Sequence, residues 1–180
     1  KFDGTNWTWV SGGNTVNQGG VYGKKSIADA SNVPGGRTHA VGWIDSNNNL
    51  WLFGGEGYAS GPQTGTLNDL WKFDGKNWTW VSGSNTVHAS SVYGIKGVSA
   101  PGNVPGARSG AVSWIDSHNN LWLFGGSSPD PSSMEDNLEV SGDLWKFDGT
   151  NWTWVSGSRT VRSEGVYGTK GKAASSNVPG

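Results

Sequence analysis

Lys72 to Gly83 reads KFDGKNWTWVSG, and nearly the same twelve residues stand at Lys1 to Gly12 and at Lys146 to Gly157 as KFDGTNWTWVSG. The copies begin 71 and then 74 residues apart. A repeat kept this closely decides the architecture before any other signal. Within the stretch, Asp74-Gly75-Lys76-Asn77 carries turn chemistry: glycine takes positive φ freely, and Asp and Asn bond to their own backbone. Trp78-Thr79-Trp80-Val81 then alternates bulky and polar side chains, the period of a half-buried strand. The motif therefore reads as strand end, tight turn and strand.

Working outward, Asp69 to Phe73 and Asp143 to Phe147 (DLWKF in both) supply the strand that enters the motif. Before them lie Leu50 to Gly55 and Leu121 to Gly126, both LWLFGG, continuous apolar runs that suit strands buried on two faces. Earlier still come Arg37 to Asp45, RTHAVGWID, and Arg108 to Asp116, RSGAVSWID, each followed by an Asx-rich turn, Asp45 to Asn49 or Asp116 to Asn120. Two complete four-strand units are expected at 37–81 and 108–155, with one orphan fourth strand over Asn6 to Val10. The partners of that strand are expected on a longer chain.

Three Gly- and Ser-rich connections, 11–36, 82–107 and 156–180, share a Val-Tyr-Gly and an Asn-Val-Pro-Gly at corresponding places. They are too long and too patterned for ordinary turns. No helical period competes with this all-β reading. The expected organisation is 1–36 as the end of one unit with its connection, then 37–107 and 108–180 as unit plus connection, all within one larger domain.

Composition excludes several functions. With 13 Lys+Arg against 14 Asp+Glu and no block of either sign, neither a nucleic-acid partner nor an anionic membrane surface is expected. No apolar run approaches the roughly 18 residues of a membrane span. The lack of cysteine removes disulfides, thiol catalysis and Cys-ligated metal centres. Thirty glycines and twelve tryptophans among only 15 % charged residues suit short strands and tight turns, a composition like that of extracellular β-repeat proteins.

With these residues in place, the chain resembles the kelch family of β-propellers. The resemblance rests on Arg37 and Arg108, the pairs Gly54-Gly55 and Gly125-Gly126, Asn68-Asp69 with Gly142-Asp143 as its counterpart, Trp71 and Trp145, and Trp78 and Trp152. Repeats of 71 and 74 residues exceed the roughly 50 usual for kelch, the excess lying in the connections. This is similar to long-repeat kelch proteins secreted or surface-displayed by bacteria. The resemblance implies four-stranded antiparallel blades of a propeller. Because propellers close with roughly four to eight blades, the remaining blades are expected on the same longer chain.

Strand direction alternates within a blade, so the second-to-third loops and the connections fall on one face. Recognition is expected there, since binding residues concentrate on loops held by a rigid scaffold. The loops EGYASGPQTGTLN (56–68) and SSPDPSSMEDNLEVSG (127–142) differ most between units, and Tyr58, Gln63, Asp130, Glu135, Asp136 and Glu139 are the candidate binding residues. The acidic cluster among them is the place for a calcium ion, if one binds; otherwise no cofactor is expected. Asp45-Ser46-Asn47-Asn48-Asn49 also spaces oxygen ligands, but reads as an Asx turn.

The tryptophans recur at equivalent strand positions. Burying about 150–250 Å² each at about 25 cal/mol per Å², they read as packing rather than sugar-stacking platforms. Arg37 and Arg108 read as structural, bonding carbonyls or a nearby Asp. His39, His88 and His118 are replaced by Gly110, Asn17 and Asn47 and define no site. Asn6, Asn77 and Asn151 are formal glycosylation acceptors placed by the repeat.

No catalytic grouping rises above chance. The cysteine-dependent chemistry of kelch copper oxidases has no residue to carry it. The expected function is a non-catalytic binding or adhesion scaffold, extracellular or at the cell surface, for a protein or glycan ligand. Alternatives are a propeller domain of a carbohydrate-active or other extracellular enzyme whose catalytic residues lie elsewhere, and a structural repeat array.

Overall fold

The computed structural model describes residues 1–129 and 138–180. The described residues are all-β and antiparallel, with no helix. In the first unit β1 (Ala28–Asp29) precedes β2 (Arg37–Thr38), β3 (Val41–Ile44), β4 (Leu50–Tyr58), β5 (Thr64–Phe73) and β6 (Trp78–Ser82). The second unit holds β7 (Val112–Ile115), β8 (Leu121–Phe124), β9 (Ser127–Pro129), β10 (Leu138–Val140), β11 (Leu144–Phe147) and β12 (Trp152–Ser156). Strand order is β1-β6-β5-β4-β2 in the first sheet, with β3 also on β4, and β12-β11-β8-β7 in the second. Each unit is thus a meander of four strand positions, as the sequence predicts.

Three sequence expectations need correction. The strand predicted over Arg37 to Asp45 is broken, because His39 adopts φ 52 and its carbonyl accepts the amide of Gly110 at 3.0 Å in the second unit. The segment 56–68, expected as a loop, is mostly strand. Gly54 and Gly55, at φ 63 and 94, form a bulge rather than an end, after which β4 and β5 pair again from Gly55–Leu67 to Tyr58–Thr64. Packing was expected to bury the tryptophans throughout, yet Trp7 and Trp9 are 81 % and 67 % exposed and Trp114 is 42 % exposed. Among the described residues Trp7 pairs with Phe2 through a single bridge.

Trp43, Trp51, Trp71, Trp145, Trp152 and Trp154 build the core, and Trp78, Trp80 and Trp122 are half-buried. Trp71, Trp145 and Trp152 are buried, and the two sheets meet face to face, Trp51 against Phe147 with ring centres 5.7 Å apart and Phe53 against Trp152 at 5.6 Å. Strands β3 and β7 run next to each other. At one end the turns of the two units touch, Ser46 N donating to Asn119 Oδ1 at 3.1 Å. In those turns Asp45 and Asp116 hold their loops by accepting backbone amides, and each also accepts a tryptophan Nε1, from Trp51 and Trp122. At the opposite end, beside the tip of the β4–β5 hairpin, the first connection begins and returns, Gly20 N donating to Ala59 O and Tyr58 N to Gly36 O.

The connections are folded modules rather than loops. In each, one valine pair bridges antiparallel: Val21 with Val33, Val92 with Val104, Val166 with Val178. The first connection lies along the fourth strand of the unit that follows it, Ala28 opposite Thr79 and Asp29 opposite Trp78, which covers an edge otherwise open to pairing. The second does the same through Ala100 and Trp152. Lysines complete the contact, Lys25 Nζ over Trp80 and Lys96 Nζ over Trp154, both at 4.3 Å.

Candidate functional site

Each unit encloses a buried polar joint. Arg37 grips Asp69 through two bonds of 2.6 and 2.7 Å and donates to Gly54 O; Arg108 grips Asp143 at 2.6 and 2.9 Å and donates to Gly125 O. The expectation that these arginines bond carbonyls and an Asp is met. The same carboxylates accept Trp71 and Trp145 Nε1, two residues further on, and the phenols of Tyr22 and Tyr93 from the preceding connection, at 2.6 and 2.9 Å.

Burial raises the Tyr93 phenol to about 12, and the Asp143 charge and hydrogen bond add to it. Burial, with Asp69 beside it, raises Tyr22 as well. Burial alone would lift the Asp143 carboxyl; the hydrogen bonds and charge of Arg108 outweigh it and hold Asp143 below the ordinary carboxylate range. Every partner within this joint is satisfied by the fold. Its chemistry is fastening.

The open space lies at the connection end. A cavity of about 490 Å³ separates the start of the first connection from the flank of β2 and β4; Gly13, Asn17, Gln18, Pro34, Arg37 and Tyr58 line it, with Glu56 at its rim. Tyr58 is half-buried in β4 and donates its amide to Gly36 O at 3.0 Å. Gln63 is exposed at the turn of the β4–β5 hairpin and does not line the cavity. The turn is held from both sides, Gly20 N donating to Ala59 O at 2.7 Å and Ser60 N donating to Asn85 O at 3.1 Å. A second cavity, of about 390 Å³, lies between the first two connections beside Lys25, Trp80 and Asn103.

Of the sequence-predicted site residues that are described, Tyr58 lines the first cavity. Glu139 is buried and paired with Arg162, an exposed residue of the third connection. Asp130, Glu135 and Asp136 lie outside the described residues. Among the described residues no cluster of acidic residues and histidines has the makings of a metal site. The sequence reading missed Tyr22, Tyr93, Asn32 and Asn103, which anchor the connections; Asn32 Nδ2 donates to Trp78 O and Asn103 Nδ2 to Trp152 O, both at 3.0 Å. Their recurrence within Val-Tyr-Gly and Asn-Val-Pro-Gly was the available signal. No known protein family matches the chain, and no curated protein matches it.

Proposed function

We propose that the two four-position meanders are blades of a kelch-type β-propeller, and that the protein is a non-catalytic binding or adhesion scaffold, extracellular or on the cell surface. The blade reading is supported by the meander order, the face-to-face packing of aromatic residues and the neighbouring first strands. The observation that carries the binding reading is the β4–β5 hairpin. It continues past its glycine bulge, differs most between units, and is clamped on both flanks by connections, so that Tyr58 and Gln63 are presented on a preset frame. A neutral polar ligand suits this tip, either a protein loop or a glycan that stacks on Tyr58.

The test replaces Gly61 to Gln63, and in the second unit 130–137, by a minimal Asn-Gly turn, which leaves the clamped Ala59 and Ser60 in place, and measures binding to a glycan array and to intact cells. Loss of binding with an unchanged melting temperature is expected; retained binding would overturn the scaffold reading. A second reading, a structural repeat array, is favoured by one observation: the connections, longest of the loops, are engaged in joining units. It expects no ligand and self-association through the unit faces.

A further inference from the structure

We propose that the cavity beside Trp80 is a seat for the guanidinium of an arginine side chain carried by a partner polypeptide. The inference does not rest on the ligand reading above, since it concerns the flank of β6 rather than the hairpin tip. Every wall of this cavity, about 390 Å³ in volume, comes from residues 25 to 104. Lys25 of the first connection and Trp80 of β6 line it, together with Ser84 and Asn85, where the second connection begins, and Asn103, where it returns.

The second unit shows what such a place holds. There the residue that corresponds to Asn85 is Arg159, in Ser158-Arg159-Thr160 against Ser84-Asn85-Thr86. Its guanidinium carbon lies 4.7 Å from the centre of the Trp154 ring and 5.9 Å from that of Tyr93, and its Nη2 donates to Gly94 O at 2.8 Å. A guanidinium suits this position because it is planar, sheds water more readily than an ammonium, and is drawn to the negative face of an indole. Trp154 with this cover is 6 % exposed, whereas Trp80 beside Asn85 is only half-buried.

The other parts of the seat stand ready around Trp80. Lys25 corresponds to Lys96, Tyr22 to Tyr93 and Gly23 to Gly94; Gly23 is exposed and matches Gly94 in backbone, φ 55 and 61. The exposed Asn85 carboxamide supplies a further acceptor. Lys25 does not bar a second cation: Lys96 Nζ and the Arg159 guanidinium share the Trp154 ring, the ammonium at 4.3 Å and bonded to Gly157 O at 3.1 Å. Lys25 Nζ sits likewise 4.3 Å over Trp80 and donates to Gly83 O at 2.8 Å. Among the described residues that line the cavity there is no carboxylate, so recognition works through the ring and the hydrogen bonds, where a lysine, a hydrated point charge, gains less. Arg159 itself remains exposed, so the seat lies at the surface and suits an arginine that projects from a polypeptide.

The test titrates the isotope-labelled full chain with the capped peptide acetyl-Gly-Arg-Gly-amide and follows the indole N–H resonances. A shift of Trp80 is expected, with a dissociation constant on the order of millimolar, and the peptide with lysine in place of arginine is expected to bind about fivefold more weakly or worse. Asn85→Arg gives the first unit the side chain that the second already has, and is expected to abolish the response. Arg159→Asn does the reverse and is expected to add a response at Trp154; it decides the matter should the other variant not fold. The shortened β4–β5 hairpin of the preceding test is expected to keep the Trp80 response, so the two readings fail separately. No Trp80 shift at peptide concentrations on the order of ten millimolar, an equal shift with the lysine peptide, an undiminished response in folded Asn85→Arg, or no gain at Trp154 in Arg159→Asn would each overturn the proposal.

Discussion

Arg108 and Asp143 each have side chains 1 % exposed, so each charge depends on the other for the partners it has lost in leaving water. Truncating one partner strands a charge in the core. Arg108→Ala is expected to cost about 3–5 kcal/mol in urea unfolding, while the double change Arg108→Met with Asp143→Leu recovers much of that loss. The joint also sets pH limits. With its phenol raised to about 12, Tyr93 favours the folded chain fully below about pH 10, the ordinary tyrosine value. That contribution disappears as pH rises through the folded value, and Tyr22 moves in the same direction. Asp143, being lowered, contributes above the ordinary carboxylate range, and its contribution is lost as pH falls through its folded value. An alkaline titration followed by near-ultraviolet absorbance and circular dichroism should show two of the four tyrosines ionising together with loss of tertiary signal; early ionisation of all four in a folded chain would refute this.

At the scale of elements, glycines separate what was legible from what was not. The pair Gly54-Gly55 was read as a strand terminus, since a glycine pair in sequence marks an end or a bulge equally well. Only tertiary contacts decide: at Gly55 a Cβ would come within 2.5 Å of Thr38 O, with φ at 94. Gly55→Ala is therefore expected to destabilise by about 1–3 kcal/mol, and Gly61→Ala, with nothing within 4 Å, to stay within about 0.5 kcal/mol. Thermal unfolding of the two variants checks the contrast. The four strand positions were readable because local alternation and turn residues agree with the final pairing. The extension of β4 and β5 was not, because EGYASGPQTGTLN has little strand propensity and pairs through neighbours on both flanks. The exchange of His39 for Gly110, and of Asn17 for His88, did carry a readable message: residues that tolerate left-handed backbone replace one another.

For the whole molecule, the connections change roles. Sequence placed them on a recognition face, and could not see that Tyr22 reaches Asp69 across 47 residues of chain and Tyr93 reaches Asp143 across 50. Such contacts have no local pattern. The candidate site was legible in outline, through the contrast between variable hairpin and constant frame, but Tyr58 beside the cavity depends on the first connection folding back over β2. The connections thereby fasten each unit to the module before it, and stability should spread along the chain through these joints.

The most direct measurement is amide hydrogen exchange of the three valine bridges. In the first two connections tyrosine is anchored on a buried carboxylate, whereas Tyr167 in the third is 78 % exposed. If the connections are braces, the amides of Val21, Val33, Val92 and Val104 will be as protected as those of the central strands β5 and β11, and Val166 and Val178 will exchange much faster. Rapid exchange at all six, as in surface loops, would contradict it.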